Sequence, residues 1–290
     1  MGTIYIVGTP IGNLSDFSPR AIETLKSVDF IAAEDTRVTL KLLSHFDIHK
    51  PLVSYHEHNL RQRGEMIIQK VLSGEDAAVV SDAGMPCVSD PGEDIVRLAA
   101  AAGIRTVVIP GPSAAISALC ISGLSTSRFA FEGFLSTNKK NRREHLQSLV
   151  NDTHTLIFYE APHKLPDTLQ DMAKAFGPER KISLCREMTK IHEEVVRTTL
   201  GEAAQYYAVN APKGEFVLII EGAKPETEPE LTLEDALAEA QELVENGMRP
   251  TDAAKQVSAH SQFKKSEIYA ALVAAEPADT ADIADAETND

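Results

Sequence analysis

Ser81-Asp82-Ala83-Gly84-Met85-Pro86-Cys87-Val88-Ser89-Asp90-Pro91-Gly92 is the stretch that decides the fold of this 290-residue chain. The apolar run before it, Ala77-Ala78-Val79-Val80, is short and flanked by polar residues, which predicts a buried strand. Pro91 suits a first helical position, because it brings no amide that would go unbonded. Strand, polar loop and helix therefore follow directly on one another. In parallel α/β sheets, ligands bind at the carboxyl ends of strands, so this loop is a candidate ligand loop. Gly84 lets a ligand approach the backbone, and Asp82 and Asp90 offer acceptors to hydroxyls or amines. The plainer alternative is a tight surface turn capped by two aspartates, since short strand-to-helix loops are common.

Working outward, Thr3 to Val7, Phe30 to Ala33, Leu52 to Tyr55 and Thr106 to Ile109 read as further strands, each followed by a helical pattern. Ser18-Pro19 caps and opens one helix, and Gly103 stops another. This alternation predicts an α/β fold with a doubly wound, mostly parallel sheet. Its loops at Gly8, Glu34, His56, Asp82 and Pro110 are expected on one edge. The chain carries neither the G-x-G-x-x-G dinucleotide fingerprint nor a G-x-x-x-x-G-K-[ST] phosphate loop.

An N-terminal α/β domain is expected over 1–123 and a second α/β domain over 124–224, also with a mostly parallel sheet. Helices opened by Thr232 and Thr251, with a third from Ser266, predict a small helical extension over 231–275. Residues 276–290 are too acidic and too poor in apolar side chains to build a core, which predicts disorder.

The formal net charge is −15, but 16 acidic and 4 basic residues fall between Glu226 and Asp290. The body of the chain is therefore nearly neutral, and a polyanionic partner is not excluded. No apolar run approaches the roughly 20 residues needed to span a bilayer, and no signal-peptide pattern opens the sequence. A cytoplasmic protein is expected, with no membrane partner. Cys87, Cys120 and Cys185 lack metal-ligand spacing and suit small buried positions in a reducing compartment.

Several motifs occur in a fixed order. They are Tyr5-Ile6-Val7-Gly8-Thr9-Pro10-Ile11-Gly12-Asn13-Leu14, Ala33-Glu34-Asp35-Thr36-Arg37, Val80-Ser81-Asp82-Ala83-Gly84-Met85-Pro86, Asp90-Pro91-Gly92 and Pro110-Gly111-Pro112-Ser113-Ala114. Phe158-Tyr159-Glu160, Arg186-Glu187-Met188-Thr189-Lys190 and Lys213-Gly214-Glu215 follow in the second half. Together they resemble the ribosomal RNA small subunit methyltransferase I family, within the tetrapyrrole-methylase-like class of S-adenosylmethionine methyltransferases. The resemblance covers about Thr3 to Gly222.

It implies a homodimer of two-domain α/β chains, with S-adenosylmethionine in the cleft between the domains. It also implies methylation of a ribose 2′-oxygen on a cytidine in the decoding region of small-subunit ribosomal RNA, as naked RNA or as the assembled small subunit. Carried over by motif, the cofactor meets Pro10, Ile11, Asp82, Gly84, Met85, Ser113, Ala114 and Tyr159. A sulfonium cofactor needs no phosphate cradle, which agrees with the missing glycine-rich fingerprint.

A ribose hydroxyl is a poor acid, so a base would assist its reaction. Glu34, Asp35, Glu160 and Glu187 stand at predicted strand ends, with Asp35 and Glu160 foremost; an ion pair with a neighbour such as Arg37 or Arg186 is the more ordinary account of any single one of them. Lys139, Lys140, Arg142 and Arg143 suit phosphate contacts, with Arg37 and His56 as further substrate candidates. A solvated helix start accounts for the basic cluster as readily. His56, His58 and His163 lack a third ligand nearby, so no metal is expected. Two alternatives stay open: a methylase of the same fold acting on a tetrapyrrole, and a non-catalytic RNA-binding module using Thr251 to Ala275 as a helix-turn-helix. Only Lys264 and Lys265 precede the last of those helices, which favours a helical packing unit.

Overall fold

The computed structural model describes residues 1–56, 60–88, 92–224 and 231–275. The readings of His58, Asp90, Pro91 and the acidic stretch 276–290 lie outside the described residues. Two compact units divide the chain, Met1–Ala223 and Lys224–Asp290.

The first unit holds two sheets. One consists of β1 (Thr3–Val7), β2 (Phe30–Ala33), β3 (Leu52–Ser54), β4 (Ala77–Val80) and β5 (Arg105–Ile109). Its order is β3-β2-β4-β1-β5, parallel throughout, as the alternating pattern predicts. Both β2 and β4 are buried at each position, which suits a sheet covered on both faces. Ile4, Phe30 and Val79 face a core shared with α3 (Leu60–Leu72) and α4 (Glu93–Ala101). Val7, Ile31, Ala33 and Val80 face the opposite core with α1 (Pro19–Ser27) and α2 (Thr36–His45). Each fully buried side chain such as Leu25 or Ile67 contributes about 1.5–3 kcal/mol.

The other sheet contains β6 (Phe129–Phe134), β7 (Thr155–Glu160), β8 (Lys181–Arg186), β9 (Glu194–Thr199) and β10 (Phe216–Ile220) in the order β6-β7-β10-β8-β9. Here the expectation of a mostly parallel sheet needs correction. Only β6 and β7 pair in parallel; β7–β10, β10–β8 and β8–β9 are antiparallel. The cause is connection length. The loop from Arg186 to Glu194 is too short for the crossover that a parallel partner requires. Helices α6 (Lys139–Ser148), α7 (Leu165–Phe176) and α8 (Leu200–Val209) accompany one face of this sheet. Its other face is covered by α5 (Ala114–Ser122), which follows β5 in sequence yet buries Ala115, Ala118 and Leu119 against Ile157, Cys185 and Val217.

The second unit packs α9 (Leu233–Glu245), α10 (Pro250–Ser258) and α11 (Lys265–Ala275) around Ala236, Ala240, Val257, Ile268 and Leu272. Thr232 and Asp235 form a capping box at its entrance. Among the described residues no helix is long and apolar enough to cross a membrane.

Candidate active site

The loops leaving the carboxyl ends of β1, β4 and β5 are laced together. Thr9 and Gly84 exchange backbone hydrogen bonds, with Thr9 N to Gly84 O at 2.9 Å and Gly84 N to Thr9 O at 3.1 Å. Gly8 and Gly111 pass so closely that a Cβ on Gly111 would stand 2.8 Å from Gly8 Cα. Gly111 N donates to Met85 Sδ at 3.2 Å. Gly84 has φ +84° and faces Ile11, so a side chain here meets both strain and a neighbour. The β2 loop joins this set through Asp35 N, which donates to Asp82 Oδ1 at 3.0 Å.

The second sheet closes the site from across the cleft. Tyr159, near the end of β7, accepts a hydrogen bond from Ala115 N at 3.2 Å and so holds the start of α5. Ser113 caps the same helix by accepting from Ile116 N. Phe131 and Phe134 pack on the Tyr159 ring with centroid distances of 5.1 and 5.4 Å.

These elements enclose a cavity of about 470 Å³, within the range of ordinary ligand sites. Ile11, Asp82, Gly84, Met85, Ser113, Ala114 and Tyr159 all line it; Pro10 is buried and does not. Glu34, Glu160 and Glu215 also line it, and Lys190 is its one cation among the described residues, so the wall is acidic on balance. Met188, Phe216 and Val217 supply apolar surface.

Both foremost candidates for a base are engaged elsewhere. The Asp35 carboxylate caps α2 by accepting from Arg37 N at 2.8 Å, and Arg37 Nε and Nη2 bind it at 3.1 and 2.6 Å. The Arg37 side chain, and then its backbone amide, hold the Asp35 carboxyl at about 2, far from the range of a proton acceptor at neutral pH. Asp35 does not line the cavity. Glu160 does, but its oxygens accept from Ala161 N at 2.9 Å and Thr168 Oγ1 at 2.6 Å. These two bonds tie the β7 loop to α7.

The basic cluster also divides. Lys139 and Lys140 are exposed. Arg142 is buried, with Nε and Nη2 on Asp171 Oδ2 at 2.8 and 2.6 Å, so it does not face a phosphate. Arg143 reaches Asp171 Oδ1 at 3.1 Å while its side chain stays 60% exposed. Arg37 is exposed around its pair with Asp35, and His56, half-buried past the end of β3, lies outside the cavity lining.

A parallel sheet and a mixed sheet, with an acidic cavity between their loops, define an α/β protein whose candidate site is lined from both sheets. The sequence model for Tetrapyrrole (Corrin/Porphyrin) Methylases matches residues 3–204, and the chain belongs to that family. It is 47% identical over 269 residues to "Ribosomal RNA small subunit methyltransferase I" of Synechocystis, covering 93% of this chain and 96% of the relative. The protein of the same name in Bacillus subtilis is 44% identical, with 93% of each chain covered. Among solved structures, uroporphyrin-III-C-methyltransferase from Thermus thermophilus superposes with a TM-score of 0.54 at 19% identity, over 76% of this chain and 94% of that one. Diphthine synthase gives 0.58 at 13% identity, over 76% and 90%. At such identities these two establish the fold alone.

Proposed function

We propose that this chain transfers a methyl group from S-adenosylmethionine to the ribose 2′-oxygen of a cytidine in the decoding region of small-subunit ribosomal RNA. The observation that carries the reading is the cavity, where seven of the eight residues expected to meet the cofactor converge. Its chemistry fits a sulfonium. Acidic side chains favour a cation, Asp82 offers acceptors to an amine or hydroxyls, and Gly84 and Ala114 leave room beside the backbone. When bound, S-adenosylmethionine supplies an activated methyl carbon. The protein's part is to hold the acceptor oxygen in line with that carbon, a source of much of the acceleration in such displacements. Relatives matching nearly the whole chain at 44–47% identity carry the ribosomal RNA name, whereas the porphyrin-methylating neighbour shares the fold at 19%. That contrast favours RNA over a tetrapyrrole as the acceptor.

The test incubates the protein with labelled S-adenosylmethionine and small ribosomal subunits, or the naked RNA, and maps protected 2′-oxygens. Label at one decoding-region cytidine is expected; label on a base, or none, overturns the reading. The proposal includes a cytoplasmic homodimer, as the family resemblance implies, and light scattering at twice the chain mass checks the dimer.

Two further results are expected. Asp35→Ala removes a helix cap, with a loss of about 1 kcal/mol of stability, and leaves turnover essentially unchanged. A loss of about a hundredfold, the scale of removing a general base, would return Asp35 to the chemistry. Replacing Lys139 and Lys140 together with alanine weakens subunit binding and lowers the salt slope by about one per lost phosphate contact, with cofactor affinity unchanged in calorimetry. An unaltered salt slope would place the RNA surface elsewhere.

A further inference from the structure

The loop between β8 and β9 carries backbone strain. Glu187 (φ +50°) and Thr189 (φ +66°) both occupy the left-handed region, which costs a non-glycine residue about 1–2 kcal/mol. Two glycines from other loops make room for it. A Cβ on Gly12 would lie 2.5 Å from Lys190 Cγ, and one on Gly214 would lie 2.5 Å from Glu187 Cγ. What this arrangement fixes is a single ammonium group. Lys190 Nζ donates to Glu187 Oε1 and to Glu215 Oε2, each at 2.9 Å. Glu187 is itself anchored: Oε1 accepts from Glu215 N at 3.0 Å, and Glu187 N donates to Glu215 O at 3.0 Å.

Burial opposes the charge on Lys190, but the hydrogen bonds to Glu187 and Glu215 outweigh it and raise its pKa above the usual value. The Glu215 amide, and then Lys190, hold Glu187 below the usual carboxylate range. Lys190 is thus held as a cation against the Glu187 carboxylate, with Glu215 Oε2 as its second acceptor. A group already neutralised in this way, with a side chain only 30% exposed, is a poor trap for phosphate. An ammonium has three N–H donors, and two are taken, which leaves one for an oxygen in the cavity that Lys190 lines. A fixed donor in a partly dry site suits an oxygen on which negative charge develops.

We propose that Lys190 is a catalytic residue that donates a hydrogen bond to the acceptor ribose hydroxyl and stabilises the charge its oxygen gains, with Glu187 as its positioning residue. The proposal rests on the ribose-methyltransferase reading above. The 2′-oxygen forms its bond to the methyl carbon as the carbon–sulfur bond breaks, leaving that electron pair on sulfur. The hydroxyl proton passes to the Glu215 carboxylate, 82% exposed, and from there to water. Lys190 keeps its own protons throughout.

The test uses the full chain with small ribosomal subunits as methyl acceptor. Lys190→Met is expected to lower kcat by about a hundredfold, with the KM for subunits and the calorimetric affinity for S-adenosylmethionine unchanged. Lys190→Arg, which keeps charge and donors, is expected to recover much of that loss. An unchanged kcat in Lys190→Met, a loss confined to KM, or an arginine variant as inactive as the methionine one would each overturn the proposal. Should Lys190→Met fold poorly, Glu215→Gln decides. It removes the proton acceptor while Glu187 still holds Lys190; a tenfold or larger fall in kcat supports the proposal and an unchanged kcat overturns it. A wild-type protein that methylates no ribosomal RNA overturns the parent reading and this proposal together, whereas an active Lys190→Met beside an active wild type overturns this proposal alone.

Discussion

Asp82→Ala is expected to weaken S-adenosylmethionine binding by about ten- to a hundredfold and to leave the melting temperature nearly unchanged. Asp82 lines the cavity as an exposed residue, with one oxygen accepting from Asp35 N. A hydrogen bond to a charged group contributes about 1.5–3 kcal/mol, which at 1.4 kcal/mol per decade gives that range in affinity. Stability is spared because Asp82 is exposed and the Asp35 amide can turn to water. Asp82→Asn separates the two contributions, since the amide oxygen still accepts from Asp35 N while the charge is lost; its affinity should fall between wild type and alanine. Titration calorimetry measures all three. Unaltered affinity in Asp82→Ala would show that the loop after β4 is a structural turn, the plainer alternative its sequence allowed.

The loops after β1, β4 and β5 were legible in the sequence because parallel α/β units obey a strict rule: strand ends of one polarity share one edge. A run such as Ala77–Val80 followed by Gly84 and Asp82 therefore places itself. The second sheet obeys no such rule. In a parallel sheet the start of β10 would lie at the far edge, and Glu215 would be remote from the strand ends of β7 and β8. Because β10 runs antiparallel to both, Phe216 pairs with Glu160 on one side and Arg186 on the other. That register brings Glu215 to Lys190 across 25 residues of chain. The motifs holding both residues were visible; their meeting depends on strand direction, which side-chain pattern does not encode. Asp35 shows the reverse case. An Asp-Thr-Arg sequence opening a helix is a capping signal, and the cap, strengthened by Arg37, is what the carboxylate serves.

Arg142→Ala is expected to destabilise the first unit by about 3–5 kcal/mol, the usual result of leaving one half of a buried ion pair alone. The side chains of Arg142 and Asp171 are 6% and 5% exposed, and both Oδ2 contacts come from Arg142. Arg143 still reaches Oδ1 from a mostly exposed position, which places the effect toward the lower end. For a chain of this size that is a fall in melting temperature of roughly 10 °C. The pH dependence gives a second, independent check. Burial raises the Asp171 carboxyl, but hydrogen bonds from Arg142 and Arg143 outweigh it, so its folded pKa lies below the ordinary value of 3.8. A depressed folded pKa contributes stability that is fully present above the unfolded pKa and is lost as pH falls through the folded one. The gap between wild type and Arg142→Ala, measured by urea unfolding, should therefore be constant from pH 7 down to about 5 and narrow below about 4. A gap that is small at pH 7, or that stays level into the acid range, would mean that Arg142 acts through packing of its aliphatic stem and that the charge is not what anchors α6 to α7.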